Sequence, residues 1–392
     1  MVFVNLNHPI MKIKYLSIIA LSLALFIVSC KKDKATGPSN KDLTNRPADV
    51  YVAGYVNMGV NGSSQAAAYW KNGVLTILGD TTGSSPFFSL ARGIAVNGSD
   101  VYVAGTVYNG GTEYAVVWKN GVPIKLSPDS TSSEANSITV NGGDVYVIGF
   151  IHDLVSQTST STQYNSIPVY WKNGVPNTIP NATAINSIFV NGNDIYIGGA
   201  VVSGHKYNST GYGLGSKAAY WKNGSSIDSL NSVADDLPYY SSAISNITVN
   251  STGVYAIGRG EIYPPEMWVN DSPVALDGGT TSSNATGIVA NGSDVYVSGS
   301  SFYNGSNWVA VYWKNNVPTF LETDLPINST SYSVANGIAL YGNDVYIAGI
   351  STVQFTSTPT GGAYVWKNGA YTKLADRGKG ATATSITAVP QP

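Results

Sequence analysis

The sequence predicts an all-β chain, and three observations carry that reading. Its 392 residues hold 42 Gly, 26 Tyr and 8 Trp but only 11% charged residues, a composition poor in the Lys, Glu and Leu runs that build helices. Two short strings then alternate from residue 49 to the end, Asp-Val-Tyr-Val-Ala-Gly and Tyr-Trp-Lys-Asn-Gly. Asn-Gly pairs punctuate the apolar runs between them, and such a pair is the strongest short-range hairpin signal because both central residues of a type I′ turn take positive φ.

In chain order, the first segment reads as an address. Met11 offers a second start, Lys12 and Lys14 give a positive flank, and Tyr15 to Val28 is an apolar run. At about fourteen residues the run is shorter than the roughly twenty needed to span a bilayer and fits a secretory signal. It ends in Ile27-Val28-Ser29-Cys30, which resembles a lipobox. The resemblance implies a signal peptide over 1–29, lipidation of Cys30 and a flexible tether over 30–47. Cys30 is the single cysteine, so neither an internal disulfide nor a cysteine metal site is available.

From residue 48 to 392 one unit recurs seven times. Its tyrosine stands at Tyr51, Tyr102, Tyr146, Tyr196, Tyr255, Tyr296 and Tyr346, and its tryptophan at Trp70, Trp118, Trp171, Trp221, Trp268, Trp313 and Trp366. The period, about 49 residues, is close to that of four-stranded propeller blades. Repeat two shows the four runs, here called a to d: Ile94 to Val96, Val101 to Ala104, Ala115 to Trp118, and Ile124 to Leu126. Strand a is short, apolar and preceded by a small residue, as in Gly93-Ile94 and Ser137-Ile138, which suits an innermost strand. The chain enters at Asp49 with a strand b and finishes with Ser385 to Val389 as a strand a. Pairing the two would close the ring and remove its open edges.

The predicted architecture is therefore a seven-bladed β-propeller of four-stranded antiparallel blades, closed by its N- and C-terminal strands. With the lipobox and the Tyr-Trp-Lys-Asn-Gly repeats, the chain resembles the β-propeller lipoproteins of Bacteroidota-type bacteria. That resemblance implies export and a lipid-anchored place in the cell envelope, at the outer membrane. It implies no particular activity.

Function is less legible. A net charge of -2 leaves no basic field for nucleic acid, and no cofactor fingerprint appears. Tight turns occupy one face, so variable b/c loops and d/a crossovers on the other are the expected site. They carry Tyr108, Tyr164, Tyr207, Tyr212, Tyr239, Tyr240, Tyr263, Tyr303 and Trp308, rings suited to a sugar or peptide surface. The expectation is a monomeric, non-catalytic binding or scaffolding module for a glycan, peptide or envelope protein. The alternative is a polysaccharide lyase or hydrolase with active residues on the same face, for which Glu261, Glu266, Arg259, Asp235 and Asp236 are the acidic and basic candidates. His152, Asp153 and His205 offer a weak metal constellation. The Asp that follows each a/b turn, as at Asp100 and Asp144, reads as turn-stabilising.

Overall fold

A computed structural model describes residues 46–58, 64–79, 88–109, 111–128, 131–157, 162–206, 214–226, 229–231, 242–260, 265–276, 282–303, 307–325, 331–353 and 360–391. Their regular structure is β-strand throughout. Each repeat supplies four strands that hydrogen-bond in the order a, b, c, d. Five sheets are four-stranded, over 132–178, 182–226, 242–275, 283–320 and 331–373. A sixth, eight-stranded sheet consists of two such quartets joined through a single parallel pair, Gln65 with Phe88. All-β sheets of this kind are consistent with a propeller.

The chain ends meet as the sequence suggests. Ala381–Pro390 is strand a of the first quartet and pairs antiparallel with Ala48–Met58, Val50 opposite Ala388 and Val52 opposite Ile386. The Gln391 amide also donates to the Pro47 carbonyl at 3.0 Å.

Strands a and b are longer than the apolar runs suggest, and so are the hairpins above them. Strand a of repeat two covers Phe88–Asn97. The expected long b/c loop of repeat three is largely a ladder, with Asp144–Gln157 paired to Thr162–Lys172. Both strands of this ribbon mix polar and apolar residues without strict alternation, a pattern easily mistaken for loop. The turns also divide into two kinds. At c/d turns both central residues have positive φ, as in Asn72 (50°) and Gly73 (82°). At a/b turns Asn97 pairs with Asp100, so Gly98 is the first central residue, with φ of 60°. Glycine in that place matches the type II′ arrangement, and Asn97 stays in the strand.

The core lies between sheets. All seven repeat tryptophans are at most 1% exposed. Trp70 packs in one cluster with Tyr346 and Ala348 of the seventh repeat. Its indole Nε1 donates to the Ala375 carbonyl at 2.8 Å, as Trp221 does to Pro180 at 3.0 Å and Trp268 to Asn231 at 2.7 Å. Each of these acceptors belongs to the crossover leaving the preceding sheet, so one residue both fills the core and ties neighbouring sheets. Buried serines add a second tie: Ser89, Ser133, Ser242 and Ser333 on strand a each accept from an amide of the preceding strand c, such as Ala67 and Ala115. The polar strand-c amides are thereby satisfied where no ladder reaches them.

Candidate functional site: a polar belt around the axis

Strand a of every repeat carries a β-bulge at one fixed place. The pairing skips one residue between Ala91 and Gly93, Ala135 and Ser137, Ile185 and Ser187, Ile244 and Asn246, Ala285 and Gly287, Ala335 and Gly337, and Ala383 and Ser385. The extra residues are Arg92, Asn136, Asn186, Ser245, Thr286, Asn336 and Thr384. A bulged residue leaves the ladder and its side chain is re-aimed. Here all seven line one axial cavity of about 530 Å³, together with the small-residue and isoleucine positions that follow them.

The bulge explains the glycine of the Asp-Val-Tyr-Val-Ala-Gly string. A methyl carbon added at Gly105 would lie 1.9 Å from the Leu90 carbonyl oxygen, and one at Gly149 would lie 1.8 Å from that of Glu134. Both carbonyls precede the bulged residue by two, so the kink drives backbone against strand b and only glycine leaves room.

The bulged side chains form a belt. Asn186 Nδ2 donates to the Ile244 carbonyl at 2.7 Å, Ser245 Oγ to Ala285 at 3.0 Å, Thr286 Oγ1 to Ala335, Asn336 Nδ2 to Ala383 at 2.7 Å, and Thr384 Oγ1 to Ala91 at 2.8 Å. Every acceptor is the residue just before the next bulge, so each link passes from one repeat to the next around the axis. Two positions break the pattern. Arg92 Nη2 lies 3.7 Å from Glu134 Oε2, and Asn136 Nδ2 donates to Glu134 Oε1 at 3.4 Å. The sidechains of Arg92 and Glu134 are 40% and 25% exposed. These three residues, with Asn186, Thr286, Asn336 and Thr384, line a second space of about 490 Å³ at the mouth of the cavity. Glu134 lies upstream of the bulge in a strand running toward the a/b turn, so this mouth opens on the face of the b/c and d/a connections.

The long ribbon of repeat three rises beside the mouth. Glu134 pairs with Phe150 and Ser132 with His152, which puts these residues on one side of the sheet. Phe150 stacks on His152 at 6.3 Å, His152 meets Tyr164 edge-on at 6.4 Å, and its Nδ1 lies 2.9 Å from Ser166 Oγ. Tyr164 (54%), Leu154 (56%) and Val155 (64%) are exposed.

The expected candidates fare unevenly. Tyr164 lies on that ribbon, and Tyr108 ends its strand b exposed. Tyr303 packs on Phe320 at 4.8 Å and Trp308 on Phe302 at 5.8 Å, so these two rings brace the sixth repeat. Tyr207, Tyr212, Tyr239, Tyr240 and Tyr263 lie outside the described residues, as do Cys30, the signal, the tether up to residue 45, Glu261, Asp235, Asp236 and the side chains of His205 and Arg259. His152 and Asp153 are successive strand residues whose side chains leave opposite faces, so they do not converge on a metal. Among the described residues no group of three His, Cys, Asp or Glu could hold one. Glu266 is not a lumen residue: it is 1% exposed within strand c of repeat five, paired with Ala275.

The recurrent Asp is a clamp. Asp100 takes Lys119 Nζ at 2.9 Å and Asn120 Nδ2 at 2.7 Å, while Asn120 Oδ1 accepts the Val101 amide at 2.8 Å. The set recurs at Asp49, Asp144, Asp194, Asp294 and Asp344. The lysine and asparagine bonds hold the Asp100, Asp144, Asp194 and Asp344 carboxyls below the usual carboxylate range. This ties the c/d turn to the start of strand b on the tight-turn face. Repeat five has Gly253 and Val269 in place of the ion pair.

No family model matches the chain, and no curated protein matches it either. Among solved structures it is similar to a Mycobacterium tuberculosis puromycin-hydrolyzing peptidase, with a TM-score of 0.51 and 10% identity over 83% of this chain and 53% of the peptidase. It is also similar to a Pyrococcus horikoshii acylaminoacyl peptidase, with a TM-score of 0.49 and 11% identity over 84% of this chain and 51% of that one. The chain spans about half the length of either peptidase, and at such identity the likeness carries the fold alone. The first of these structures is a hydrolytic peptidase, a finding that runs against the expectation of a non-catalytic binding or scaffolding module, and that expectation is withdrawn.

Proposed function

We propose that residues 48–392 form a seven-bladed propeller that works as a polysaccharide hydrolase, held at the cell envelope by a lipid on Cys30 after removal of a signal over 1–29. Seven bladelike quartets result when the eight-stranded sheet is divided at its single Gln65–Phe88 pair. The observation that carries the site is the break in the polar belt at Glu134. It is the one carboxylate among the described residues of the axial mouth, whereas the links of the intact arc are neutral donors spent on backbone.

In this reading the substrate lies across the mouth and Glu134 handles the proton. It takes a proton from the attacking water as the water oxygen bonds to the anomeric carbon and gives that proton to the leaving oxygen as the glycosidic bond breaks, while Asn136 holds its other oxygen in place. The rigid sheets beneath keep the carboxyl where a substrate can meet it. Exchange of Glu134→Gln keeps shape and hydrogen bonding but removes the acid. Release of reducing ends from a panel of polysaccharides should fall by about 100-fold or more with an unchanged melting temperature. Full turnover in this variant would overturn the assignment.

A further inference from the structure

We infer that Arg92 makes the axial mouth a receptor for an acidic sugar, its carboxylate on the guanidinium and a neighbouring hydroxyl on Glu134. The inference rests on the mouth being the substrate site, and it names the substrate class.

Six of the seven bulged positions hold neutral side chains, and Arg92 alone is charged. A donor there need only reach the next carbonyl, which Ser, Thr and Asn do in the intact links. Arginine is longer than that task requires. Its fork carries five N–H donors, yet among the described residues its recorded partner is Glu134 at 3.7 Å, beyond hydrogen-bond length. It is 40% exposed and lines the space of about 490 Å³ at the mouth. A planar guanidinium with unspent donors binds a carboxylate through two parallel bonds, a geometry that lysine cannot copy. The chain has a net charge of -2, so no general positive field explains anion capture and the preference is local to this residue.

Glu134 narrows the choice further. A bare anion at Arg92 meets the carboxylate beside it. A ligand that also offers a hydroxyl turns that neighbour into a hydrogen-bond acceptor. Carboxylate and hydroxyl a few ångströms apart on one rigid ring are the signature of a uronic acid.

Calorimetry on the full chain in detergent decides the matter with three probes: oligogalacturonate, neutral oligogalactose and inorganic phosphate. The acidic oligomer should bind at least tenfold more tightly than the neutral one, with the preference shrinking as salt rises. Arg92→Gln should abolish the preference and Arg92→Lys restore part of it, both at the wild-type melting temperature. Equal binding of acidic and neutral oligomers, a preference that survives in Arg92→Gln, or phosphate binding as tight as oligogalacturonate would each overturn the inference. Failure of the hydrolase reading looks different: acid-selective binding persists while the wild-type chain releases no reducing ends, or while Glu134→Gln leaves turnover intact.

Discussion

The belt has an intact arc, from Asn186 through Ser245, Thr286 and Asn336 to Thr384, and an interrupted sector at Arg92, Glu134 and Asn136. Both are built on the same bulge, opposite the same kind of glycine, lining the same cavity. In the arc, each side chain satisfies the carbonyl of the next repeat, so its chemistry is consumed by the fold. In the sector, side chains of two repeats face each other and leave polar capacity toward the lumen. A repeat protein thus shows its structural residues by what recurs, and its site by the copy that does not.

The largest way to break the comparison is to remove the strand that pairs with Ala48–Met58. Deleting 383–392 removes most of the closing strand together with Thr384, whose hydroxyl lies 2.8 Å from the Ala91 carbonyl oxygen and 3.1 Å from that of Ala53. An open edge along Ala48–Met58 then invites aggregation. Amide exchange should lose protection in Val50 to Ala53 and around Trp366 together. A monomer fully protected at both ends would show that the closing strand is dispensable.

A smaller effect sharpens the contrast between arc and sector. Asn336→Ala breaks one arc link and should cost about 1 kcal/mol, the usual net worth of such a bond. Asn136→Ala, which loses only a 3.4 Å contact to Glu134, should stay within about 0.5 kcal/mol of wild type. Urea unfolding of both variants compares them, and equal losses would erase the distinction.

The smallest effect concerns the clamps on the opposite face. Their carboxyls are held below the ordinary value of 3.8 by lysine and asparagine partners. A lowered folded-state pKa stabilises above the unfolded value and loses that stabilisation as pH falls through the folded one. Thermal stability should therefore be flat across neutral pH and decline below about pH 4. Asp100→Asn should flatten that decline slightly, in proportion to one exposed clamp among six. Identical acid profiles would show that the exposed pairs are screened to nothing.

The sequence by itself determined the repeat, the strand count within it, the tight turns and the partner strands at the two chain ends. Those features are local or periodic: an Asn-Gly pair needs only its own backbone, and a tryptophan in every copy announces a core. Even there, the a/b turn was one residue out of place, because Asn and Gly are adjacent in either turn type and only the pairing of Asn97 with Asp100 decides which is central. Only the tertiary structure decided where the candidate site is. The polar residue before each small one, Arg92 before Gly93 or Asn136 before Ser137, was visible in every repeat, but a strand read as unbroken gives it no special direction. The bulge turns it to the axis, and the bulge exists because strand b offers glycine across the ladder. Arg92 and Glu134 belong to different repeats and meet only once neighbouring sheets pack side by side. Contacts across the axis follow from the packing of whole sheets, which no spacing along the chain records.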